Sequence, residues 1–390
     1  MYETQREKMN QAIDLLKEEQ IDAWLIYTSE SSDPCLPLVT GVKTVGPGAF
    51  IFTKEGEKVA IVSSIDAQDV EESGLFDDVI KYTSGLSEPL QAYIRKVAPE
   101  KIALNISKNE HLADGLTAGR YRWIKNNLQS VFQGKYVSSE KFLSKLRSVK
   151  TEAEIERVKK AVDITLEIYE NIFKQLKAGM TEKEMGQLFV YELERRALVN
   201  GIDRKLSMPV VMRDRIAHRG PSDRKIKKGD LVIFDFSVYY EGYNSDIART
   251  VYFLKDDETE APTKIQQTFD AIHEAITLAG DKMKPGVKGY EVDKVARQHL
   301  VHKGYPEIEH ATGHQVGREV HDGGGILGPT WERYGDSPYV PLEKGNIFTL
   351  EPTVFLRDEA IHFIVEENVI VTETGIEYLS KRQDELILIN

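Results

Sequence analysis

A repeated pattern of two helices in the second half of the chain constrains the fold more than any other feature. Residues 151–176 show the helical spacing of apolar side chains, and a second helix pattern begins at Thr181. The same arrangement returns as helix patterns over residues 262–283 and 290–302, and strand-like segments follow each pair. Two such halves predict a pseudo-twofold domain over residues 150–390, with a site between the halves. A chance match between two ordinary helical hairpins is the alternative.

The first third of the chain has a different pattern, in which apolar runs of strand length alternate with helix patterns. Residues 1–137 are therefore predicted to form an α/β domain with a mixed sheet. Residues 138–149 are polar and rich in Ser and Lys, which indicates a linker to the domain over residues 150–390.

The charge balance of the 390 residues excludes some classes of function. Lys and Arg number 51 against 63 Asp and Glu, a net charge of −12, so the overall field disfavours nucleic acid and anionic membranes. A single cysteine, Cys35, forms no intramolecular disulfide and no multi-thiolate metal site. The polar N-terminus and the lack of an apolar stretch of bilayer-spanning length predict a cytoplasmic protein that binds neither nucleic acid nor a membrane.

Two aspartates mark the strand segments that follow the first helix pair. Asp235 interrupts an apolar strand, and Asp246 comes after a Glu-Gly turn. A hairpin would place the two carboxylates on neighbouring strands, where they repel each other unless a cation or a shared proton intervenes. Alternatively, Asp235 accepts hydrogen bonds at a strand end and Asp246 is a turn residue.

Three of the nine histidines lie in one glycine-rich segment: His310, His314 and His321. Imidazole is the commonest metal-ligating side chain and the usual acid or base at neutral pH. Glycine neighbours allow the backbone to pass close to a site. This concentration favours a metal or acid–base site over three separate structural histidines.

Glu351 and Glu366 each place a carboxylate inside an apolar strand pattern after the second helix pair. Burial of an unpaired carboxylate is unfavourable, so each needs a partner. With Asp235, Asp246 and His314 they form a set of four carboxylates and one imidazole. Such an oxygen-rich set suits Mn²⁺, Co²⁺, Fe²⁺ or Zn²⁺, and four negative charges favour two divalent cations over one.

In their order and spacing, these five residues resemble the metal ligands of the pita-bread metallopeptidases. The motifs that carry the resemblance are GDLVIFDFS, SDIART, GHQVG, TLEP and VEENVIVT. The resemblance covers residues 150–390 and implies an α+β pita-bread domain with a pseudo-twofold repeat. Residues 1–137 resemble the N-terminal α/β domain of creatinases, prolidases and Xaa-Pro aminopeptidases. Methionine aminopeptidases lack that domain and creatinases lack the full metal set, which favours the Xaa-Pro dipeptidase (prolidase) and aminopeptidase branch.

The resemblance also implies roles for individual side chains. His218, before a Pro-Ser-Asp-Arg run, and His321 match family histidines that would stabilise the oxyanion or hold the scissile carbonyl. Glu351 would carry the proton to the leaving nitrogen. The His-Asp sequence at His321 is similar to eukaryotic-type prolidases. Arg333, in a segment that matches no family motif, either binds a substrate carboxylate or is a surface residue of a lid.

Two positions depart from the family pattern, because Ile364 stands where the family often has arginine and Gln315 changes the usual GHGIG or GHFLG to GHQVG. The implied function is hydrolysis of X-Pro bonds with two divalent cations, Mn²⁺ first among them, on dipeptides with proline second. The alternatives are an Xaa-Pro aminopeptidase on longer peptides, a non-peptidase hydrolase or lyase on the same scaffold, and an inactive binding module. Relatives with this N-terminal domain are commonly dimers, so a homodimer is expected.

Overall fold

The computed structural model describes residues 2–213, 219–359 and 361–390. It divides the chain into two compact units, Met1–Arg147 and Ser148–Asn390. Among the described residues, no helix has both the length and the apolar character that crossing a membrane requires.

The first unit is a mixed six-stranded sheet with helices on both faces. Its strands are β1 (Ala23–Thr28), β2 (Gly48–Thr53), β3 (Lys58–Ser63), β4 (Asp78–Tyr82), β5 (Lys101–Leu104) and β6 (Lys135–Ser138). Its helices are α1 (Glu3–Glu18), α2 (Leu36–Val39), α3 (Ala67–Ser73), α4 (Ser87–Val97), α5 (Ala118–Leu128) and α6 (Glu140–Ser148). A short 3₁₀ helix spans His111–Ala113. Helix α6 occupies most of the segment predicted as a linker.

The sheet of the first unit has the order β4-β3-β2-β1-β5-β6. Strand β2 pairs antiparallel with β1 and β3, and the other neighbours are parallel. Side chains alternate between two apolar clusters, so that Trp24 and Ile26 enter one and Leu25 enters the other. Both faces are therefore buried, and the predicted α/β domain with a mixed sheet is confirmed.

The second unit contains two helix pairs and several small sheets. Its helices are α7 (Glu152–Phe173), α8 (Glu182–Arg195), α9 (Thr263–Lys282) and α10 (Gly289–His302). Its first strands are β7 (Val199–Asn200), β8 (Val210–Met212), β9 (Leu231–Phe236), β10 (Val238–Tyr240), β11 (Tyr243–Asn244) and β12 (Ile247–Phe253). They are followed by β13 (Ile347–Leu350), β14 (Thr353–Leu356), β15 (Ile361–Ile364), β16 (Glu367–Val371), β17 (Ile376–Tyr378) and β18 (Ile387–Ile389). Further 3₁₀ helices span Glu332–Tyr334, Ser337–Tyr339 and Arg357–Glu359. The sheet orders are β18-β12-β9-β8, β13-β16-β17, β11-β10-β7 and β14-β15.

Matching hydrogen bonds show that the two halves of the second unit are related. In each half, the turn within the helix pair forms two main-chain hydrogen bonds of 2.8 Å with a residue that precedes a strand. In the first half, Gly179 and Met180 bond to Ile226, which precedes β9. In the second half, Gly286 and Val287 bond to Leu342, which precedes β13. Gly179 and Gly286 have φ angles of 97° and 88°, which favour glycine at both turns. The predicted pseudo-twofold repeat is confirmed, and the chance-match alternative is wrong.

The helix pairs determine which side chains face the site. Phe234 and Phe236 of β9 pack in the same apolar cluster as Phe189 of α8. Because successive side chains of a strand point to opposite faces, Asp235 lies on the face turned away from these helices. The second half has its own cluster, in which Phe269 of α9 and Phe363 of β15 pack together.

Candidate metal centre

Asp235 and Asp246 lie on adjacent antiparallel segments of one sheet. Asp235 of β9 is paired with Ala248 of β12. Asp246 precedes Ala248 by two positions, so the two carboxylates share one face with an offset instead of lying directly opposite each other. The hairpin pattern predicted that the carboxylates lie across from each other on neighbouring strands; Asp246 instead lies directly before β12 and is offset from Asp235. The offset follows from the two-residue turn Glu241-Gly242, because Tyr240 pairs with Tyr243 and the same register places Ala248 opposite Asp235.

Glu366 comes from the other half of the unit and joins the same sheet face. Its N–H donates to the Ala248 carbonyl at 3.1 Å. The side chain of Asn368 holds the backbone of Asp246, because its Oδ1 accepts the Asp246 N–H at 3.1 Å and its Nδ2 donates to the Asp246 carbonyl at 2.6 Å. The two halves are thus joined at the residues that carry Asp246 and Glu366.

His314 and Glu351 lie on neighbouring extended segments. Thr349 Oγ1 accepts the His314 N–H at 3.0 Å, and the Thr349 N–H donates to the His314 carbonyl at 2.9 Å. The Glu351 N–H donates to the Thr312 carbonyl at 2.8 Å. This close approach requires Gly313, where a Cβ atom would lie 2.0 Å from the Thr349 carbonyl oxygen.

The side chains of these segments converge on one point. His314 Nε2 lies 3.5 Å from Asp246 Oδ2 and 3.5 Å from Glu351 Oε1. Ligand atoms of Asp246, His314 and Glu366 lie within 4.8 Å of one another. Asp235 joins them on the same sheet face, because it is paired with Ala248, two positions from Asp246, and its charge adds to the effect of burial in raising the pKa of Asp246 and of Glu351. The structure therefore brings all five predicted ligands together.

The imidazole of His314 is held in the form that binds a cation. Its Nδ1 lies 3.2 Å from the Gln315 carbonyl, which accepts but cannot donate, so Nδ1 carries the hydrogen. Nε2 then presents its lone pair to the carboxylates. Burial and the neighbouring charge of His321 lower the pKa of His314 to about 3, which keeps the ring neutral. A neutral imidazole is the ligating form.

The carboxyl groups of the cluster strongly resist ionisation. Burial, followed by the charges of the neighbouring carboxylates, raises the pKa of Asp246 and of Glu366 well above the usual range. The same causes raise the pKa of Glu351 from 4.5 to about 8. A divalent cation reverses this preference, since it favours the anionic form of each group. Four carboxylates and one neutral imidazole are also the donor set of an oxygen-preferring divalent metal, so the residues present fit such ions.

The structure describes one of the two histidines that were predicted to act on the substrate. His321 is exposed, and its ring centroid lies 4.3 Å from that of His314, which places it beside the cluster. His218 lies outside the described residues.

Arg333 is held in an aromatic stack. Its guanidinium carbon lies 4.6 Å from the Trp331 ring centroid and 4.9 Å from that of Tyr334. One of its nitrogens donates to the Glu309 carbonyl at 2.6 Å. It lines an open groove with residues 306–309 and 331–332.

Sequence reasoning assigned no role to two residues that support the cluster. Arg249 is buried in β12, donates to the Glu366 carbonyl at 2.6 Å and pairs with the Glu367 carboxylate at 3.1 Å. Its signal is a positive charge inside the apolar strand of SDIART. Tyr169 of α7 places its hydroxyl 2.7 Å from the Ile247 carbonyl, next to Asp246. A tyrosine at a helical core position gives no such signal.

His310, the remaining histidine of the glycine-rich segment, is a half-buried neutral group. Its Nδ1 lies 2.7 Å from the Ala311 carbonyl and therefore donates. Its Nε2 then accepts from Thr353 Oγ1 at 2.8 Å. Burial lowers the pKa of His310, which agrees with this hydrogen-bonding pattern.

Ile364, which replaces the arginine common in the family, belongs to a small apolar cluster. Its side chain packs with Ile233, Ala248 and Phe355. Ile233 and Ala248 each lie two positions from an aspartate of the metal set, so this apolar surface adjoins the carboxylates on the same sheet face.

Comparison with known proteins agrees with the fold and the site. Residues 156–373 match metallopeptidase family M24. An uncharacterized peptidase of Staphylococcus saprophyticus is 27% identical over 386 residues, which cover 96% of this chain and 99% of that one. The crystal structure of an X-Pro aminopeptidase from Thermotoga maritima has a TM-score of 0.76 and 25% identity, with 96% of this chain and 100% of the other covered. An Xaa-Pro dipeptidase from Bacillus anthracis has the same fold, with a TM-score of 0.76 at 23% identity, over 99% of this chain and 100% of that one.

The fold and the carboxylate–histidine cluster define a divalent-metal peptidase with an N-terminal α/β domain. The chain belongs to metallopeptidase family M24. Its structural neighbours fall in the branch of pita-bread enzymes that the sequence motifs indicated, and it is a metallopeptidase.

Proposed function

We propose that this metallopeptidase hydrolyses the peptide bond before proline, with dipeptides that have proline second as its preferred substrates. The observation that carries the proposal is the convergence of Asp246, His314 and Glu366, whose ligand atoms lie within 4.8 Å of one another. The likeness of the whole chain to an X-Pro aminopeptidase at 25% identity supports the specificity for proline. An Xaa-Pro aminopeptidase that accepts longer peptides is the second candidate.

The five clustered side chains would hold two divalent cations, with Mn²⁺ as the proposed metal. Asp235, Asp246, His314, Glu351 and Glu366 supply four negative charges, which two divalent cations neutralise. When bound, such cations supply the Lewis acidity that makes water nucleophilic at neutral pH and polarises the scissile carbonyl.

The remaining chemistry belongs to side chains of the chain itself. Glu351, in the carboxylate form that bound cations would favour, is proposed to take the proton of the attacking water and to deliver it to the proline nitrogen. His321 and His218 are proposed to donate to the developing oxyanion or to the scissile carbonyl; one such donor is typically worth about 3–4 kcal/mol. An X-Pro bond has no amide hydrogen, so recognition depends on the ring and the flanking charges.

Arg333 is proposed to bind the free carboxylate of a dipeptide. Stacking on Trp331 and Tyr334 orients its guanidinium plane, which suits bidentate binding of a carboxylate. Replacement by Met keeps the apolar stem and removes the charge. Arg357 provides a matched control, because it is exposed and pairs with the carboxylate of Glu309 at 3.2 Å. Arg333→Met is expected to raise KM for X-Pro dipeptides, whereas Arg357→Met leaves KM unchanged.

A hydrolysis panel read by mass spectrometry tests the proposed function. Mn²⁺-loaded protein is incubated with X-Pro dipeptides, X-Pro-Y tripeptides, longer X-Pro peptides and matched peptides without proline. Asp235→Asn is run in parallel, with Asp256→Asn as control because that carboxylate is exposed and pairs with Lys228 at the surface. Cleavage confined to X-Pro dipeptides, retained in Asp256→Asn and lost in Asp235→Asn, supports the proposal.

Other outcomes of the panel separate the alternatives. Cleavage of the longer X-Pro peptides identifies an Xaa-Pro aminopeptidase. Cleavage of proline-free peptides at the same rate contradicts the proline specificity. If no peptide is cleaved, the proposal fails and small metabolites with C–N bonds become the substrates to test. Homodimer assembly stays a prediction from the family resemblance, and light scattering coupled to size exclusion tests it. A cytoplasmic location stays a prediction from the sequence.

A further inference from the structure

The loop that carries His321 is anchored by a buried ion pair. Asp322 follows His321 directly, and its Oδ2 accepts from Lys150 Nζ at 2.9 Å. The side chain of Lys150 is 0% exposed and that of Asp322 is 2% exposed. The other carboxylate oxygen, Oδ1, accepts the Glu319 N–H at 3.2 Å, and the Asp322 N–H donates to the Gln315 carbonyl at 2.9 Å. The Asp322 carboxylate therefore bonds both to the main chain of its own loop and to the Lys150 ammonium group.

A glycine makes room for this ion pair. A Cβ atom at Gly317 would lie 2.4 Å from Asp322 Oδ2 and 2.5 Å from Lys150 Cε. Such distances are too short for any side chain at this position. The second glycine of GHQVG is thus explained by the Lys150–Asp322 pair.

Ser148 anchors the same loop at a second point. Gln315 Nε2 donates to Ser148 Oγ at 3.0 Å. Gly324 lies against both partners, since a Cβ atom there would be 2.2 Å from Ser148 Oγ and 3.0 Å from Gln315 Nε2. Asn346 Nδ2 donates to the Ser148 carbonyl at 3.1 Å, which connects this anchor to the start of β13. The unusual Gln315 therefore has a specific partner.

Burial of an ammonium and a carboxylate is a weak way to stabilise a fold, because desolvation offsets most of their attraction. An apolar pair of similar size would stabilise the loop to a similar extent. The ion pair differs from an apolar contact because a charged hydrogen bond requires a particular partner and geometry. It therefore holds the loop in one conformation. It fixes the residue next to His321, whose ring centroid lies 4.3 Å from that of His314.

We propose that Lys150 and Asp322 are positioning residues for His321 in X-Pro hydrolysis. This inference rests on the proposed function, because His321 is taken to act on the scissile carbonyl. Lys150 acts through Asp322 and does not touch the substrate. Loss of the pair is expected to leave the metal ligands in place and to misplace the His321 imidazole.

A double-mutant cycle on hydrolysis tests the proposal. Lys150→Met and Asp322→Asn are each measured alone and combined with His321→Ala. Each single variant is expected to lose about 10- to 100-fold in kcat/KM, mainly in kcat. Lys150→Met is expected to cause no further loss when His321 is already Ala. Asp22→Asn is the matched control, because Asp22 also pairs with a lysine, Lys54, and accepts main-chain N–H groups, but in the first unit.

A spectroscopic readout separates failure of this inference from failure of the proposed function. The imidazole ¹⁵N signals of His321 are assigned by their loss in His321→Ala and are expected to shift in Lys150→Met but not in Asp22→Asn. Unchanged His321 signals in folded Lys150→Met overturn the inference whether or not the enzyme cleaves peptides. An equal loss of kcat/KM with and without His321 also overturns it. If Lys150→Met does not fold, Lys150→Met/Asp322→Asn is measured in its place, since it buries no unpaired charge.

Discussion

The side-chain amide of Asn368 hydrogen-bonds both the N–H and the carbonyl of Asp246, as the main chain of a neighbouring strand would. It accepts the Asp246 N–H at 3.1 Å and donates to the Asp246 carbonyl at 2.6 Å. Since Asn368 follows Glu366 on the other half of the unit, this contact sets the spacing of two of the carboxylates proposed to bind metal. The geometry of the centre therefore depends on a residue that binds no metal itself.

Replacement of Asn368 by Leu is expected to weaken metal binding. The substitution keeps the branched shape but removes both hydrogen bonds to Asp246, and loss of such supporting partners typically costs about 10- to 100-fold in metal affinity. Competition with a chromophoric chelator measures the affinity for Mn²⁺. Asn105→Leu in the first unit is the control, because Asn105 is equally buried and bonded to Asp33. It is expected to lower stability and leave the affinity unchanged; equal affinities of both variants would contradict the role of Asn368.

Without metal, the stability of the protein is expected to fall as the pH rises. The pKa of Glu351 is raised from 4.5 to about 8 by burial and by Asp235, so the folded state favours the protonated group. The stabilisation from this proton is complete below about 4.5 and is lost as the pH rises through about 8. The melting temperature of metal-free protein should therefore fall from pH 5 to pH 8 more steeply than that of Mn²⁺-loaded protein.

Glu351→Gln provides the control for this pH dependence, because it removes the titrating group and keeps the shape. Metal-free Glu351→Gln should show a shallower fall in melting temperature over the same range. Parallel slopes for the metal-free and metal-loaded wild type would show that the cluster does not titrate as described.

Loss of the Arg249 side chain is expected to destabilise the protein strongly. Arg249→Leu leaves the carboxylate of Glu367 buried without its cation, which typically costs about 3–5 kcal/mol. Urea unfolding of metal-free protein measures the change in free energy. In Arg249→Leu/Glu367→Gln the uncompensated charge is gone, so a smaller loss is expected. Identical losses for the single and the double variant would refute this explanation.

Introduction of the common family arginine at Ile364 is expected to reduce both stability and activity. Ile364 packs with Ile233, Ala248 and Phe355, and the longer, charged arginine side chain would disrupt this apolar packing. Ile364→Arg should lower the melting temperature and kcat/KM together, whereas Ile364→Val should cost about 0.5–1.5 kcal/mol and keep most activity. Higher activity in Ile364→Arg than in the wild type would show that the apolar surface has no part in catalysis.

The sequence predicted those features that depend on residue type and order. Carboxylates inside apolar strands identified Asp235, Glu351 and Glu366, because an isolated charge there needs a partner. The helix pairs predicted the repeat, since their apolar spacing and turn glycines recur. The structure confirms the fold and brings the five predicted ligands together.

Features that depend on distant packing were beyond sequence reasoning. The offset between Asp235 and Asp246, in contrast, follows from the position of the two-residue turn Glu241-Gly242. Asn368 and Lys150 are separated from their partners by long stretches of chain, so no local pattern indicates them. Such a polar residue supports the site only because the folded chain brings it next to a partner that is distant in the sequence.

The proposed two-cation centre is tested most directly by the number of Mn²⁺ ions bound per chain at which hydrolysis of Ala-Pro reaches its maximum. Metal-free protein is titrated with Mn²⁺ while bound metal and product are measured in the same samples. If two cations act together at the cluster, hydrolysis is maximal at two ions per chain, and Asp235→Asn binds fewer ions and releases no proline. Maximal hydrolysis with one bound ion, or two bound ions without cleavage of Ala-Pro, would contradict the two-cation proposal.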